Sequence, residues 1–134
     1  MENVKNFIHT LADYIKLLDL NYPVIVGASD ESQSLVVRPI TGTEVVREYM
    51  DGMIEIRMPF EINIKSTNQT EAYQVLNDVL EYVRNVGDFL QDKEDVEQGY
   101  VVLGIVIDQI PMLIDSNDEN FVYASKLMVN LTII

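Results

Sequence analysis

Carboxylates are the chemistry-bearing side chains this sequence holds in quantity. There are 22 Asp and Glu against 9 Lys and Arg in 134 residues, a formal net charge of -13, with one His and no Cys. Asp115-Ser116-Asn117-Asp118-Glu119 sets hard oxygens on alternate residues, as the first ligands of a calcium loop do. An EF-hand would then need Gly at the sixth position and Glu at the twelfth; Asn120 and Lys126 stand there, and a solvated turn accounts for the segment better. Asp88, Asp92, Glu94, Asp95 and Glu97 offer more carboxylates, but general acid-base chemistry needs an inequivalent pair fixed in a pocket. His9, on the polar face of a helix, has no second His or Cys with which to share a metal. Nucleophile elbows, HExxH pairs and glycine-rich phosphate loops are absent from the sequence. The expectation is a protein that is not an enzyme and takes no metal or cofactor.

Charge excludes more. A chain this acidic does not grip nucleic acid through its phosphates, so no sequence-specific nucleic-acid binding is expected. The longest apolar run, around 101–107, is far short of the ~20 residues of a membrane helix. Met1-Glu2-Asn3-Val4-Lys5 carries charge where a signal peptide needs an apolar stretch, so the protein is expected to stay where it is made. Between Val86 and Asn120 there are nine acids and one base, Lys93, which places -8 of the -13 in a quarter of the chain. From Gly42 to Lys65 five acids face three bases, so that region is nearly balanced.

The elements that must carry these residues follow from hydrophobic period. Val4, Phe7, Ile8, Leu11, Tyr14, Ile15 and Leu18 recur at helical spacing and predict a helix over 3–19, stopped by Asn21-Tyr22-Pro23. Val24-Ile25-Val26 and Leu35-Val36-Val37 predict two short strands around a polar turn. Thr43–Met50 and Met53–Lys65 read as a hairpin about Asp51-Gly52, a pair suited to a type I′ turn. Its second arm alternates: Ile54, Ile56, Met58, Phe60, Ile62 and Ile64 against Glu55, Arg57, Glu61, Asn63 and Lys65. At ~3.3 Å per residue such an arm should bend near Pro59 or project beyond the body. A second helix is predicted over 68–90, capped by Thr67 or Asn68, followed by an acidic loop over 92–98. The near-continuous apolar strand Val101–Ile107 reads as central and covered on both faces, and a last alternating strand runs from Phe121 to Ile134.

One domain in the order α-β-β-β-β-α-β-β results. It is an α+β fold with a mostly antiparallel sheet, two helices on one face and a long β-hairpin arm. The surface candidates are the arm residues Tyr49, Met50, Asp51, Gly52, Arg57 and Phe60, for self-association, and the acids Asp88, Asp92, Glu94, Asp95 and Glu97. Tyr49 and Met50 at a hairpin tip are apolar groups in want of a contact.

With those residues in view, the chain resembles the tail terminators, minor structural (minor capsid) proteins of long-tailed phages and prophages of Gram-positive bacteria. The resemblance lies in Glu44-Val45-Val46-Arg47-Glu48-Tyr49-Met50-Asp51-Gly52, a six-residue interval to Pro59-Phe60, a helix closing on Phe89-Leu90, Ile110-Pro111-Met112-Leu113, an acidic turn and a strand entered through Tyr123. It covers nearly the whole chain; Phe89 stands where such relatives often have Trp. It implies a ring, commonly of six copies, that ends the tail tube and joins it to the head. The implied partners are itself, the major tail tube protein and head-tail connector proteins, in a virion assembled in the host bacterial cytoplasm. An acidic surface would suit a channel that DNA must slide through. The alternatives are a head-completion or adaptor protein at the connector, and a small intracellular α+β ligand-binding module or enzyme.

Overall fold

Phe7, Ile8, Leu11, Ala12 and Ile15 occupy one stripe of the first helix, α1 (Glu2–Lys16), and all five are buried. In the computed structural model, which describes residues 2–27, 33–91, 94–95, 99–116 and 120–134, α1 ends before the expected Asn-Tyr-Pro stop. Asp19 adopts a left-handed backbone (φ 53°) and its N–H closes on the Lys16 carbonyl at 3.2 Å, turning the chain three residues past the helix.

The remaining elements are β1 (Val24–Val26), β2 (Ser34–Pro39), β3 (Glu44–Glu48), β4 (Ile54–Ser66), α2 (Gln69–Leu90), β5 (Glu94–Asp95), β6 (Tyr100–Ser116) and β7 (Phe121–Ile133). They form an α+β fold around one mostly antiparallel sheet, in the path β1-β2-β4-β7-β6-β5, with β3 beside β4. Two details of the expected order change. Glu94 and Asp95, expected in a loop, form a two-residue strand against Val101 and Tyr100. β1 and β2 run parallel rather than as a hairpin, Val24 opposite Leu35 and Val26 opposite Val37.

β4 keeps its alternation. Ile56, Met58, Phe60, Ile62 and Ile64 are fully buried, while Glu55, Arg57, Glu61, Asn63 and Lys65 are half-exposed on the other face. All thirteen of its residues pair with β7, from Ile54 opposite Ile133 to Ser66 opposite Phe121, without a register break. Its other edge is shared: β2 takes Phe60–Lys65 and β3 takes Ile54–Arg57. Pro59 sits at the changeover. Its carbonyl accepts from the Ile40 N–H at 3.3 Å, and because N and O of a strand residue point to the same side, its missing N–H faces the gap between β2 and β3 and costs no bond to β7.

Both helices cover the face of Phe60. The Phe7 ring meets the Phe60 and Tyr100 rings edge-on, with centroids 6.1 and 5.9 Å apart. From α2, Tyr73 meets Tyr123 at 5.6 Å and Gln69 donates to the Tyr123 hydroxyl at 3.0 Å; Tyr123 is paired with Ile64 and so points the same way. Asn68 caps α2 by accepting the Glu71 N–H at 3.0 Å. Gly87 lets the far end of α2 approach β6, since a Cβ there would stand 3.0 Å from the Ile105 Cβ. Tyr22 locks the corner where β4 passes into α2: its buried hydroxyl shares a hydrogen bond with Ser66 at 2.8 Å, and Ser66 also accepts the Asn68 N–H at 3.1 Å. Burial, chiefly, pushes the Tyr22 hydroxyl above the ordinary tyrosine range, with Glu71 adding to the effect and Ser66 opposing it.

Candidate interaction surfaces

The hairpin tip is built by backbone hydrogen bonds around a three-residue loop. The Tyr49 N–H donates to Met53 O at 2.8 Å and Gly52 N–H to Tyr49 O at 3.1 Å, while Asp51 Oδ1 accepts the Met53 N–H at 3.1 Å. Only Gly52 has a positive φ, 92°, so the turn is not the expected type I′, which needs positive φ at two residues; Met50 and Asp51 are the centre of an ordinary turn closed by glycine. All five residues of β3 are exposed, and Met50 stands fully in solvent. Arg57 reaches back from β4 to the Glu44 carboxylate at 3.0 Å, which neutralises both on the open face of the sheet.

Phe60 is the exception among the arm candidates. It has no exposed surface and belongs to the core with Phe7, because the apolar side of β4 faces the helices and not a partner. Of the acidic candidates, Asp88 is exposed near the end of α2, in a shallow hollow shared with Arg84, Ile105, Val106 and Ile107. Glu94 and Asp95 lie in β5; Asp92 and Glu97 fall outside the described residues. His9 is exposed on α1. Among the described residues no group of three or more His, Asp or Glu is placed to hold a metal. No helix among them is long and apolar enough to cross a membrane.

What the sequence reading missed is β6. Val101–Ile107, expected at the centre of the sheet, belongs to a strand of 17 residues next to the sheet edge. Beyond Val102, no described strand pairs with its outer side. β6 spends 17 residues against the 13 of β7, through four register shifts. The resulting bulges interrupt the alternation that would have shown how far the strand runs past Ile107 and which of its residues share a face. One bulge is held by the buried Ser125 hydroxyl, which donates to the Gln109 carbonyl. Past Gly104 the strand is apolar and bare: Val106 is 61% exposed, Ile110 72%, Met112 57%, Leu113 44% and Ile114 57%. A shallow hollow of about 260 Å³ runs between this part of β6 and the flank of α2, lined by Asn77, Leu80, Glu81, Arg84, Ile107, Ile110 and Pro111.

The hollows beside β6 are shallow and open, and the exposed apolar side chains lie along the strand next to them. No model of a known protein family matches the chain, and no curated protein matches it. Solved structures do: 34 chains match, among them a protein known only by a serial label, with a TM-score of 0.52 at 12% identity over 97% of this chain and 92% of that one. At that identity the likeness speaks to the fold alone.

Proposed function

We propose that this protein is a virion structural protein, a tail terminator whose ring caps the tail tube and offers the surface on which the head docks. The observation that carries the reading is the bare half of β6. Five large apolar side chains within the nine residues 106–114 are exposed on a chain of net charge -13. Apolar surface gathered on one strand marks a protein contact. The resemblance of the Glu44–Gly52 hairpin and of Ile110-Pro111-Met112-Leu113 to tail terminators supplies the identity of the partners: further copies of this chain, the tail tube protein and the connector. In this reading the hairpin is the self-association arm, through Tyr49–Gly52, and Asp88, Asp92, Glu94, Asp95 and Glu97 keep a DNA channel repulsive.

The experiment is to let tail tube protein polymerise with and without this chain and to image the ends. Tubes that stop growing with a ring on one end support the reading, and Ile110→Ser/Ile114→Ser should abolish the cap while leaving the protein folded. Attachment to DNA-filled heads but not to tubes would replace it with the adaptor reading. Attachment to neither would overturn both. The channel assignment has its own test: Asn or Gln at 92, 94, 95 and 97 should slow DNA ejection at low salt, where the field reaches furthest.

A further inference from the structure

Two edges of one sheet have no strand partner among the described residues, differ in chemistry and lie on opposite sides of it. β3 sits outside β4, on the side of β1 and β2; β6 sits outside β7. Facing directions follow from the register. Val45 is paired with Ile56 and Glu48 with Ile54, so both point to the helix side, whereas Arg47 is paired with Glu55 and points to the open side. On β6, Ile107 is paired with the buried Leu127 and points to the helix side, where Arg84 and, one turn further along α2, Asp88 line the hollow beside it, Arg84 being the base within it. Asp108 lies on the open side, with Lys126 3.5 Å away.

We propose that the strand β3 of one copy adds to the free edge of β6 at residues 104–108 of the next copy, continuing the sheet with Glu48 against Arg84 and Arg47 against Asp108. The proposal deepens the ring reading and rests on it. Charge selects the occupant: on the helix side an acid meets a base, on the open side a base meets an acid, and the same sheet continued with its faces reversed would set Glu48 against Asp108 and Arg47 against Arg84. Glu48, Arg47 and Arg84 form no ion pair with any other described residue. The backbone allows it as well. Gly104–Ile107 is an unbulged run between two register shifts, matched by a short partner, and a Cβ at Gly104 would meet nothing within 4 Å. The bulges and Pro111 beyond it refuse a long partner, which protects the edge from indiscriminate pairing. Because the two edges differ, the contact is heterologous, and repeated it closes into a ring or runs on as a filament, never a two-fold dimer.

The test uses charge exchange. Glu48→Arg and Arg84→Glu should each weaken self-association about tenfold per contact, and the double variant should regain it. The two residues lie on opposite edges of one subunit, so recovery cannot arise within a chain. A second measurement removes dependence on that one pair. The chain has no Cys, so copies carrying Val45→Cys can be mixed, on or off the tail tube, with copies carrying a single Cys at 105 or 107, which share its helix-side face. A disulfide between the two kinds supports the proposal. Disulfides confined to β6 Cys copies would show a two-fold contact and overturn it. Rings that form with neither the exchange effect nor the mixed disulfide would overturn it and leave the terminator reading standing. A parent chain that assembles neither alone nor on tubes would overturn both.

Discussion

β4 and β6 are the two strands that decide this molecule, and neither occupies the place in the sheet that its pattern invites. β4 alternates apolar and polar residues, as an arm with one wet face would, and it lies inside the sheet with both edges paired. β6 is nearly continuous in apolar residues, as a strand covered on both faces would be, and its outer half lies in solvent. Alternation reports on the two faces of a strand and says nothing of its edges. Continuous apolarity reports that both faces seek cover, and the cover need not come from the same chain. In this protein the second kind of strand is the one to which we assign assembly.

Breaking the contrast should give opposite results at the two strands. Phe60→Ala removes a buried ring against Phe7 and should cost about 3–5 kcal/mol in denaturant unfolding. Met112→Ala removes a side chain of similar apolar character that is 57% exposed, and should change monomer stability by no more than about 0.5 kcal/mol. Equal losses would mean that the outer half of β6 is part of the core. Gly87→Val sharpens the comparison from the helix side. It forces α2 off Ile105 and should cost about 1–3 kcal/mol, because the neighbour is within 3.0 Å of the new Cβ. Pairing it with Ile105→Ala should recover part of the loss.

Smaller effects are expected at the corner joining β4 to α2. Tyr22→Phe should cost about 1 kcal/mol at neutral pH by removing the bond to Ser66. With the folded hydroxyl raised above its unfolded value, the Tyr22 contribution is complete below pH ~10 and is lost as pH climbs through that value and beyond. Urea titrations across that range should show a decline in the parent that is shallower in Tyr22→Phe. Asn68→Ala should cost about 1 kcal/mol through the lost cap on α2.

How much of this was legible in the sequence varies by element. The helices were, because Phe7, Leu11 and Ile15, or Leu76, Val79 and Val83, repeat at the helical period and bury one stripe. The buried face of β4 was legible residue by residue. The parallel pairing of β1 with β2 was not, since two apolar triplets around a polar turn fit either direction. The extent of β6 past Ile107 was not, because its bulges break the period and Pro111 reads as a stop. Phe60 was assigned to the arm although its own alternation placed it with the buried Ile62. Tyr49 and Met50 were read correctly as exposed, from their place beside Asp51-Gly52.

Hydrogen exchange on the free and the assembled protein tests the central claim most directly. In the free chain the amides of β4 should already be protected, while those of the outer side of β6 over 104–114 exchange fast. On assembly the account predicts new protection in 104–114 and in β3, with β4 unchanged. Protection that appears elsewhere on the molecule, with 104–114 still exchanging freely, would contradict it.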